Sequence, residues 1–398
     1  MSLDGRKLKR EIGRVLRQIA GFSAMAGEYL LATRRHDRTL RPAQVRTIGC
    51  VPRTDKAAIY VVFPRHGVQA SHAESLRYIA SRGYSPVTVS NLALDPADRA
   101  ALARQSSLLI ERANFGYDFG AYREGVLSLE EELPTLRRLV LLNDSCWFPL
   151  PGSRDWLTLA EGSGLDYVGA ASNYAIDPPD VARFESLEWR QDRTRRSFHY
   201  CSFALSMSAA LISDPDFLRF WRGFHLSDVK SRTVRRGEIG LTQWAIRRGH
   251  RHGSVFEIDG IDGDLARLDH AALRHHAGRI IIPEHSVLRD TIAAFLADDA
   301  AGAVPRRTLE KLFLMAVARQ GMAYTIPAYL HETAGYPFLK KSPVWLDPVA
   351  RQKTIRFVEG FGADGAGMVA EIEAIARDRG LRDVGSSAEP QRPAGRTT

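Results

Sequence analysis

Short apolar runs that alternate with helical patterns constrain the fold of this chain more than any other feature. The first run, at residues 57–63, reads AAIYVVF and is rich in the β-branched and aromatic residues that favour strands. Helical patterns follow at 71–82 and at about 122–131. The further strand-like runs lie at 86–90, 108–111, 139–142, 167–170 and 201–207. This alternation predicts βαβ units and therefore a three-layer α/β sandwich, with a parallel-rich sheet between helices.

The same pattern predicts how the chain is divided. A length of 398 residues suits two domains or one large domain with helical additions. We predict a basic, helical N-terminal arm over 1–50, a central α/β domain over 51–290 and a helical region over 291–384. Helices of the last region are expected at 289–297, 307–319, 348–357 and 366–379. Residues 385–398 are polar and rich in Pro, Gly and Ser, which predicts a disordered tail.

Positive charge is concentrated in the N-terminal arm. The chain carries a net charge of +9, and residues 1–50 hold eleven Lys and Arg against four Asp and Glu, which leaves +7 in this arm. Residues 7–31 place apolar side chains on one helical face and arginines on the other, which predicts an amphipathic basic helix. Such a helix either lies on an anionic membrane surface or packs its apolar stripe on the main domain.

The cysteines and the hydropathy indicate the cell compartment. Cys50, Cys146 and Cys201 are far apart and form neither a zinc spacing nor a disulfide framework, which suits a reducing cytoplasm. The chain contains no apolar run of 18 residues, and its N-terminus lacks the apolar stretch of a signal peptide. We therefore expect a cytoplasmic protein, which would lie on the inner face of the plasma membrane if its basic helix binds lipid rather than the main domain.

Two stretches at predicted strand ends carry the side chains best suited to chemistry. In 112–125, which reads RANFGYDFGAYREG, Gly116 would let the backbone approach a ligand, and Asn114 and Asp118 offer hydrogen-bond acceptors. In 139–150 a buried strand ends directly in Asn143 and Asp144, where a carboxylate is well placed to hold Mg²⁺ or Mn²⁺. The alternative is that Asp144 caps the following turn and Asn143 satisfies the backbone.

Taken together, these two stretches resemble the rhamnan synthesis protein F family of bacterial glycosyltransferases. The resemblance covers about residues 110–341, most of the chain. Its further blocks are HYCSFALS at 199–206, FLRFW at 217–221, EIGLT at 238–242 and the stretch from Pro327 to Lys341. It implies a GT-A-like transferase that moves a sugar, rhamnose from dTDP-rhamnose by the family's name, in surface polysaccharide or lipopolysaccharide assembly. GT-A enzymes usually carry Asp-x-Asp where this chain has Asn143-Asp144-Ser145, so one carboxylate remains as a metal ligand.

The resemblance also implies roles for individual residues. Donor binding falls to Arg65, Asn114, Gly116, Asp118 and Asn143, and the divalent metal to Asp144. Phosphate charge could be met directly by Arg65, Arg112 or Arg123. Glu238 is the expected base that deprotonates the acceptor hydroxyl, at what is predicted to be a helix start, and His199 is the second candidate. Their alternatives are a carboxylate favoured by the helix dipole and a structural histidine.

Other features leave further possibilities open. His250-Arg251-His252 and His275-His276 look like metal-binding tracts but lack acidic or cysteine companions in the sequence. His331, Lys340 and Lys341 fall in the last block of the resemblance, and an acceptor phosphate could bind there. The competing functions are a non-catalytic module that binds nucleotide sugar or glycan, and a nucleic-acid-binding protein. The chain has no aromatic-basic strand motif and no recognition helix, so we expect no nucleic-acid partner.

Overall fold

The computed structural model describes residues 31–173, 176–298 and 303–381. Most of the predicted helix at 7–31 and the predicted tail at 385–398 lie outside these residues. The strands are β1 Val45–Ile48, β2 Lys56–Val62, β3 Ser85–Ser90, β4 Leu108–Glu111, β5 Arg138–Asn143, β6 Cys146–Trp147, β7 Tyr167–Gly169, β8 Ser172–Asn173, β9 His199–Tyr200, β10 Ala204–Ser208, β11 His252–Ser254 and β12 Leu339–Lys340.

The helices cluster between the strands and again towards the end of the chain. They are α1 Ala70–Ser81, α2 Pro96–Arg104, α3 Tyr117–Ser128, α4 Trp156–Gly162, α5 Ala209–Ile212, α6 Pro215–Arg222, α7 Lys230–Val234, α8 Gly240–Arg247, α9 Ile261–Arg267, α10 His270–Gly278, α11 Ser286–Asp298, α12 Arg306–Gln320, α13 Met322–Thr325, α14 Pro327–Ala334, α15 Pro343–Leu346, α16 Pro348–Glu359 and α17 Ala366–Asp378. Short π-helical turns occur at His36–Leu40 and Arg235–Ile239, and 3₁₀ turns at Leu133–Thr135, Val181–Ser186 and Gly362–Gly365. None of the described helices is long and apolar enough to cross a membrane.

The central sheet has the strand order β1-β4-β3-β2-β5-β10-β7-β11. Its middle is parallel, because β2 pairs in parallel with both β3 and β5, and β3 pairs in parallel with β4. Antiparallel pairing appears where β10 runs between β5 and β7, and at the edge strand β1. The carboxyl ends of β2, β3, β4 and β5 therefore meet at one edge, as the strand pattern predicts.

Helices cover both faces of this sheet. Successive side chains of a strand point to opposite faces, so Ala58, Tyr60 and Val62 belong to one apolar cluster, with α1 and α12, whereas Ile59 and Val61 belong to another, with α3 and α6. Burial of each Ile or Val side chain stabilises the fold by roughly 1.5–3 kcal/mol. A continuous apolar run such as this one therefore favours a strand that is buried on both faces. The predicted three-layer α/β sandwich is thereby confirmed.

Several boundaries differ from the sequence expectations. Helix α3 begins at Tyr117 rather than near residue 122, because Gly116 adopts a left-handed φ of 83° and turns the loop that follows β4 into the helix. Of the predicted strand at 201–207, only the part from Ala204 is a strand, which runs to Ser208 in the central sheet, and the separate short strand His199–Tyr200 before it pairs with β8. Within the predicted arm, Val45–Ile48 forms the edge strand of that sheet.

The C-terminal helical region is fastened to the strand ends by a two-stranded sheet. Strand β12 pairs antiparallel with β6, with Lys340 opposite Cys146 and Leu339 opposite Trp147. A third apolar cluster, which includes Trp147, Val358 and Ile372, fills the space beneath this pair. Residues that follow position 338 are in this way brought to the edge at which β5 ends.

Candidate active site

Asp144 lies at the carboxyl end of β5, where its side chain is fixed by two donors. The backbone N–H of Phe63 donates to Asp144 Oδ2 over 2.7 Å. His72 receives the Gln69 N–H on Nδ1 at 3.0 Å, so its proton resides on Nε2 and is donated to the same Asp144 Oδ2 at 3.2 Å. Asp144 Oδ1 has no hydrogen-bond partner among the described residues, and it is left available to a ligand.

The charge of Asp144 is stabilised despite its enclosure. Burial acts to raise the pKa of Asp144, but the hydrogen bond from His72, together with Lys341 and the Phe63 N–H, holds that pKa below its ordinary value. The carboxyl group is therefore ionised at neutral pH, as a metal ligand must be. The alternative in which Asp144 caps the following turn finds no support among its hydrogen bonds, which go to Phe63 and His72 instead.

Asp118 stands next to Asp144 and has the opposite electrostatic character. It lies in the first turn of α3, and its Oδ2 accepts a 3.0 Å hydrogen bond from Asn143 Nδ2. Burial, reinforced by the negative charge of Asp144, raises the pKa of Asp118 to about 6. Lys340 and Lys230 oppose this shift without cancelling it. Two carboxyl groups with different proton affinities thus share one edge of the sheet.

The strand-end cleft is the cavity that these two carboxyl groups face. It has a volume of about 430 Å³. Among the predicted site residues, Arg65, Asn114, Asp118 and Asp144 line it. Lys230, Lys341, Trp345 and Arg379 also line it, and the last three come from the C-terminal helical region.

Asn143 and Gly116 support this cleft from behind. Asn143 joins Asp118 to the turn after β5, because its Oδ1 accepts from both the backbone N–H and the hydroxyl of Ser145, at 3.1 and 2.6 Å. The space beside Gly116 is filled by Leu226, whose Cδ2 would lie 2.7 Å from an added Cβ. Both residues therefore position the site through the backbone and through neighbours, with Gly116 setting the start of α3.

A second cavity, here called the side pocket, adjoins the first. Its volume is about 590 Å³, and Glu238, His199, Tyr324 and Lys340 are among its lining residues. Lys230 lines both cavities, so the two are neighbours across a single side chain. The structure therefore brings the predicted donor residues and the predicted base residues to adjoining spaces.

Glu238 and His199 form a pair within the side pocket. His199 Nε2 lies 3.6 Å from Glu238 Oε2, and Glu238 Oε1 accepts from the hydroxyl of Ser202. His199 Nδ1 is 2.8 Å from the carbonyl oxygen of Ser197, which can only accept, so Nδ1 carries a proton and Nε2 is the nitrogen that faces the carboxylate. Both side chains keep part of their surface exposed to the pocket.

The local backbone around Glu238 differs from the sequence expectation. Glu238 does not begin a helix; it lies in the π-helical turn Arg235–Ile239, between α7 and α8. Gly237 packs against Phe119 of α3 so closely that an added Cβ would lie 2.4 Å from the ring. This contact holds the turn against α3 and directs the next residue, Glu238, into the pocket, which is a common use of π-turns at functional sites.

Two of the arginines that the sequence offers to phosphate are structural instead. Arg112 is buried, and its guanidinium donates to Asn91 Oδ1 and to the carbonyl of Phe115. Burial lowers the pKa of Arg112 to about 10. Arg123 is also buried and forms a two-pronged ion pair with Asp37, at 2.8 Å for each bond. Of the three predicted arginines, Arg65 alone lines the strand-end cleft.

The histidine tracts lie away from both cavities. His275 and His276 approach Glu332, an acidic companion that the sequence does not show, but Arg279 already pairs with that carboxylate. A second group of potential ligands, His36, Asp37 and Glu124, is likewise neutralised by Arg123. A cation would have to displace an arginine at either place, whereas the free oxygens of Asp118 and Asp144 require no such exchange.

The donor set of the strand-end cleft fits a divalent cation. Mg²⁺ and Mn²⁺ prefer oxygen ligands and are commonly held by one or two carboxylates together with substrate phosphates and water. Asp144 Oδ1 and Asp118 Oδ1 are both without a protein partner within the described residues. They could hold such a cation, and its charge would favour the ionised form of Asp118.

Comparison with known proteins identifies the family. The family model of rhamnan synthesis protein F matches residues 87–312, which include Asn114, Asp118, Asp144, His199 and Glu238. The chain belongs to the rhamnan synthesis protein F family. A relative within curated proteins, the uncharacterized protein y4gN of Sinorhizobium fredii, is 30% identical over 240 residues. That match covers 60% of this rhamnan synthesis protein F family member and 57% of y4gN, so it spans little more than half of the relative.

Solved structures offer only distant likenesses to this family member. The mannosyltransferase PcManGT from Pyrobaculum calidifontis, in complex with GDP-Man and Mn²⁺, is 15% identical, with a TM-score of 0.29 and coverage of 90% of this chain and 91% of that one. Core-mannan synthase A from Aspergillus fumigatus is 11% identical, with a TM-score of 0.24 and coverage of 48% and 73%.

Proposed function

We propose that this protein is a GT-A-like glycosyltransferase that moves a sugar from a nucleotide-diphosphate donor to a hydroxyl of a growing surface polysaccharide or lipopolysaccharide. The observation that carries the proposal is the pair of adjoining cavities, with Asp118 and Asp144 in one and Glu238 and His199 in the other. A transferase needs a donor site and an acceptor site that meet at the reacting carbon, together with a base beside the acceptor.

On the donor side, the strand-end cleft offers groups for each part of a nucleotide sugar. Asn114 at the exposed rim and Asp118 in the first turn of α3 can accept hydrogen bonds from base or sugar hydroxyls. Arg65, Lys230 and Lys341 supply positive charge for the diphosphate. Asp144 and Asp118 would hold Mg²⁺ or Mn²⁺, and a bound cation would supply further neutralisation of the diphosphate charge.

On the acceptor side, Glu238 is the proposed base. Its Oε2 faces His199 and the side pocket, while its Oε1 is anchored by Ser202, so the carboxylate is held in one orientation. The acceptor hydroxyl gives its proton to Glu238 as its oxygen attacks the anomeric carbon, and the diphosphate leaves from the opposite side. A single displacement of this kind inverts the anomeric configuration. His199 Nε2, which carries no proton in this tautomer, can accept a hydrogen bond from the acceptor hydroxyl beside Glu238.

The identity of the substrates rests on the family. Its name makes dTDP-rhamnose the first donor to be tested, with a glycan or lipid-linked glycan as acceptor. The basic residues at 7–31 support a location at the anionic inner face of the plasma membrane, in the cytoplasm, where nucleotide sugars are made. The membrane location is part of the proposal, because residues 1–30 lie outside the part of the chain that the structure describes.

A nucleotide-sugar panel tests the proposal. Full-length protein is unfolded thermally with each nucleotide sugar, in Mn²⁺, Mg²⁺ or EDTA, and then assayed for turnover. A ligand that binds the folded state alone stabilises it by about 2.7 kcal/mol at a hundredfold excess over Kd. We expect one donor to stabilise the protein, and Asp144→Ala to remove the metal-dependent part of that shift. Binding without turnover, whatever metal and acceptor are supplied, would favour the non-catalytic module, and no binding at all would refute both.

A further inference from the structure

Lys340 places a buried positive charge where the strand-end cleft and the side pocket meet. The residue is only 9% exposed. Its Nζ donates to Ser145 Oγ over 3.0 Å and lies 4.2 Å from the centre of the Phe203 ring. Ser145 lines the strand-end cleft and Lys340 lines the side pocket, so the ammonium group stands between the two cavities. The pairing of β12 with β6 delivers it there from the C-terminal region.

The charge of Lys340 has no matching anion in the part of the chain that the structure describes. Ser145 Oγ is its one oxygen partner there, and no carboxylate lies within ion-pair distance of its Nζ. The neighbouring Lys341 differs, because its Nζ donates to Ser71 Oγ over 3.0 Å and lies 3.7 Å from the carboxylate oxygen Oε2 of Glu371. A buried ammonium whose one oxygen partner is a hydroxyl is costly unless a further acceptor completes it. Its location therefore points to an anionic ligand.

Ser145, the hydrogen-bond partner of Lys340, lies at a sequence position that bears on metal binding. Ser145 is the third residue of Asn143-Asp144-Ser145, where the resemblance to GT-A enzymes would place a second metal-binding carboxylate. A carboxylate there would hold a cation, but the serine hydroxyl instead accepts from an ammonium group and donates to Asn143. The chain thus supplies one unit of positive charge covalently at a position where a metal ligand would otherwise stand.

We propose that Lys340 Nζ binds the donor diphosphate and stabilises its charge as it leaves. This inference rests on the proposed function. In the transfer step the bond between the anomeric carbon and the diphosphate oxygen breaks, and its electron pair stays on the diphosphate. The acceptor oxygen forms the new bond to that carbon, and its proton passes to Glu238. Lys340 keeps its protons and contributes hydrogen bonds and charge to the leaving group.

Diphosphate binding should consequently persist in part without a divalent cation. Isothermal titration of the full-length protein in EDTA with GDP, UDP and dTDP tests this, using the corresponding nucleoside monophosphates for comparison. For the best diphosphate, we expect Lys340→Met to raise Kd by about tenfold or more, the loss typical of one charge-assisted hydrogen bond. The Kd of the matching monophosphate should change by less than about twofold. Lys353→Met is the control, because Lys353 is a partly buried lysine whose Nζ donates to the carbonyl of Ile280.

The possible results separate this inference from the proposed function. If a nucleoside diphosphate binds the wild-type protein and binds Lys340→Met equally well, the role of Lys340 is refuted while the transferase proposal stands. If Lys340→Met loses affinity for the acceptor alone, Lys340 binds the acceptor and its proposed role at the diphosphate is likewise refuted. If no diphosphate binds the wild-type protein, with or without Mn²⁺, both proposals fail. Should Lys340→Met not fold, Lys340→Gln keeps a donor for Ser145 without the charge, and the same loss is expected.

Discussion

His72 and Asp144 form a hydrogen bond of 3.2 Å that determines which oxygen of Asp144 is free. The imidazole and the Phe63 N–H both donate to Oδ2, and Oδ1 is left facing the strand-end cleft. His72 is itself oriented by the Gln69 N–H, which occupies its other ring nitrogen. A histidine that fixes the orientation and charge of a ligand carboxylate acts on a metal without touching it.

We expect His72→Ala to weaken metal binding without abolishing it. Loss of such a supporting partner typically costs 10- to 100-fold in metal affinity, because the carboxylate becomes free to rotate and loses a stabilising donor. The Kd of Mn²⁺ in the presence of the best nucleoside diphosphate measures this effect. His250→Ala is the control, since His250 pairs with Asp214 and lines neither cavity. Equal Mn²⁺ affinity in His72→Ala and the wild-type protein would contradict the assignment of Asp144 as the ligand.

Removal of the base should separate catalysis from donor binding. Glu238→Gln keeps the size of the side chain and can still accept from Ser202, but it cannot take a proton. We expect the rate of sugar transfer to fall by about 10²- to 10⁴-fold while the nucleotide Kd stays within about twofold. Steady-state kinetics and calorimetry on the same preparation measure the two effects. Glu284→Gln, in the same pocket, should retain most of the activity. A variant Glu238→Gln with near-normal turnover would move the base elsewhere.

The strand ends could be predicted from the sequence, but their partners could not. Asp144 is recognisable because an apolar run stops directly before it and parallel strands present their carboxyl ends at one edge. His72 precedes Asp144 by 72 residues. A single histidine in a helical pattern does not indicate which strand end that helix will pack against. Lys340 is remote in the same way, since its position depends on the pairing of two strands of two residues each.

Helix geometry and burial account for the corrected expectations. The π-helical turn that holds Glu238 depends on the contact between Gly237 and Phe119, which joins two helices distant in sequence. Arg112 and Arg123 look like solvent-facing charges because a sequence shows their charge and not their enclosure. The partner of Arg123, Asp37, lies 86 residues before it.

Arg123 provides a test of that correction. We expect Arg123→Met to lower the free energy of unfolding by about 3 kcal/mol or more, because it leaves Asp37 without its arginine and the buried Glu124 with Arg41 alone. Nucleotide affinity of the folded protein should be unchanged. Urea unfolding and calorimetry measure the two quantities, with exposed Arg137→Met, which loses a surface ion pair with Asp55, as a control of less than about 1 kcal/mol. A selective loss of nucleotide binding in Arg123→Met would restore its role as a phosphate ligand.

The raised pKa of Asp118 makes stability depend on pH in a direction opposite to that of a paired carboxylate. Burial and the charge of Asp144 raise this pKa to about 6, from 3.8 for an ordinary aspartate. Between these values the folded protein holds a proton that the unfolded chain has released, so the free energy of unfolding falls as pH rises from about 4 to about 6. The helix N-terminus, which favours the charged form, is outweighed by burial and Asp144.

Asp118→Asn should remove this slope. Its amide oxygen can still accept from Asn143, and it carries no charge at any pH. Relative to this variant, the free energy of unfolding of the wild-type protein should fall by about 2 kcal/mol between pH 4 and pH 7 in EDTA, after allowance for the partial exposure of the carboxyl group. Urea unfolding of both proteins across this range measures the difference. Mn²⁺ with a nucleoside diphosphate should abolish it, because a bound cation stabilises the ionised form. Parallel stability curves in EDTA would show that Asp118 titrates like an ordinary aspartate.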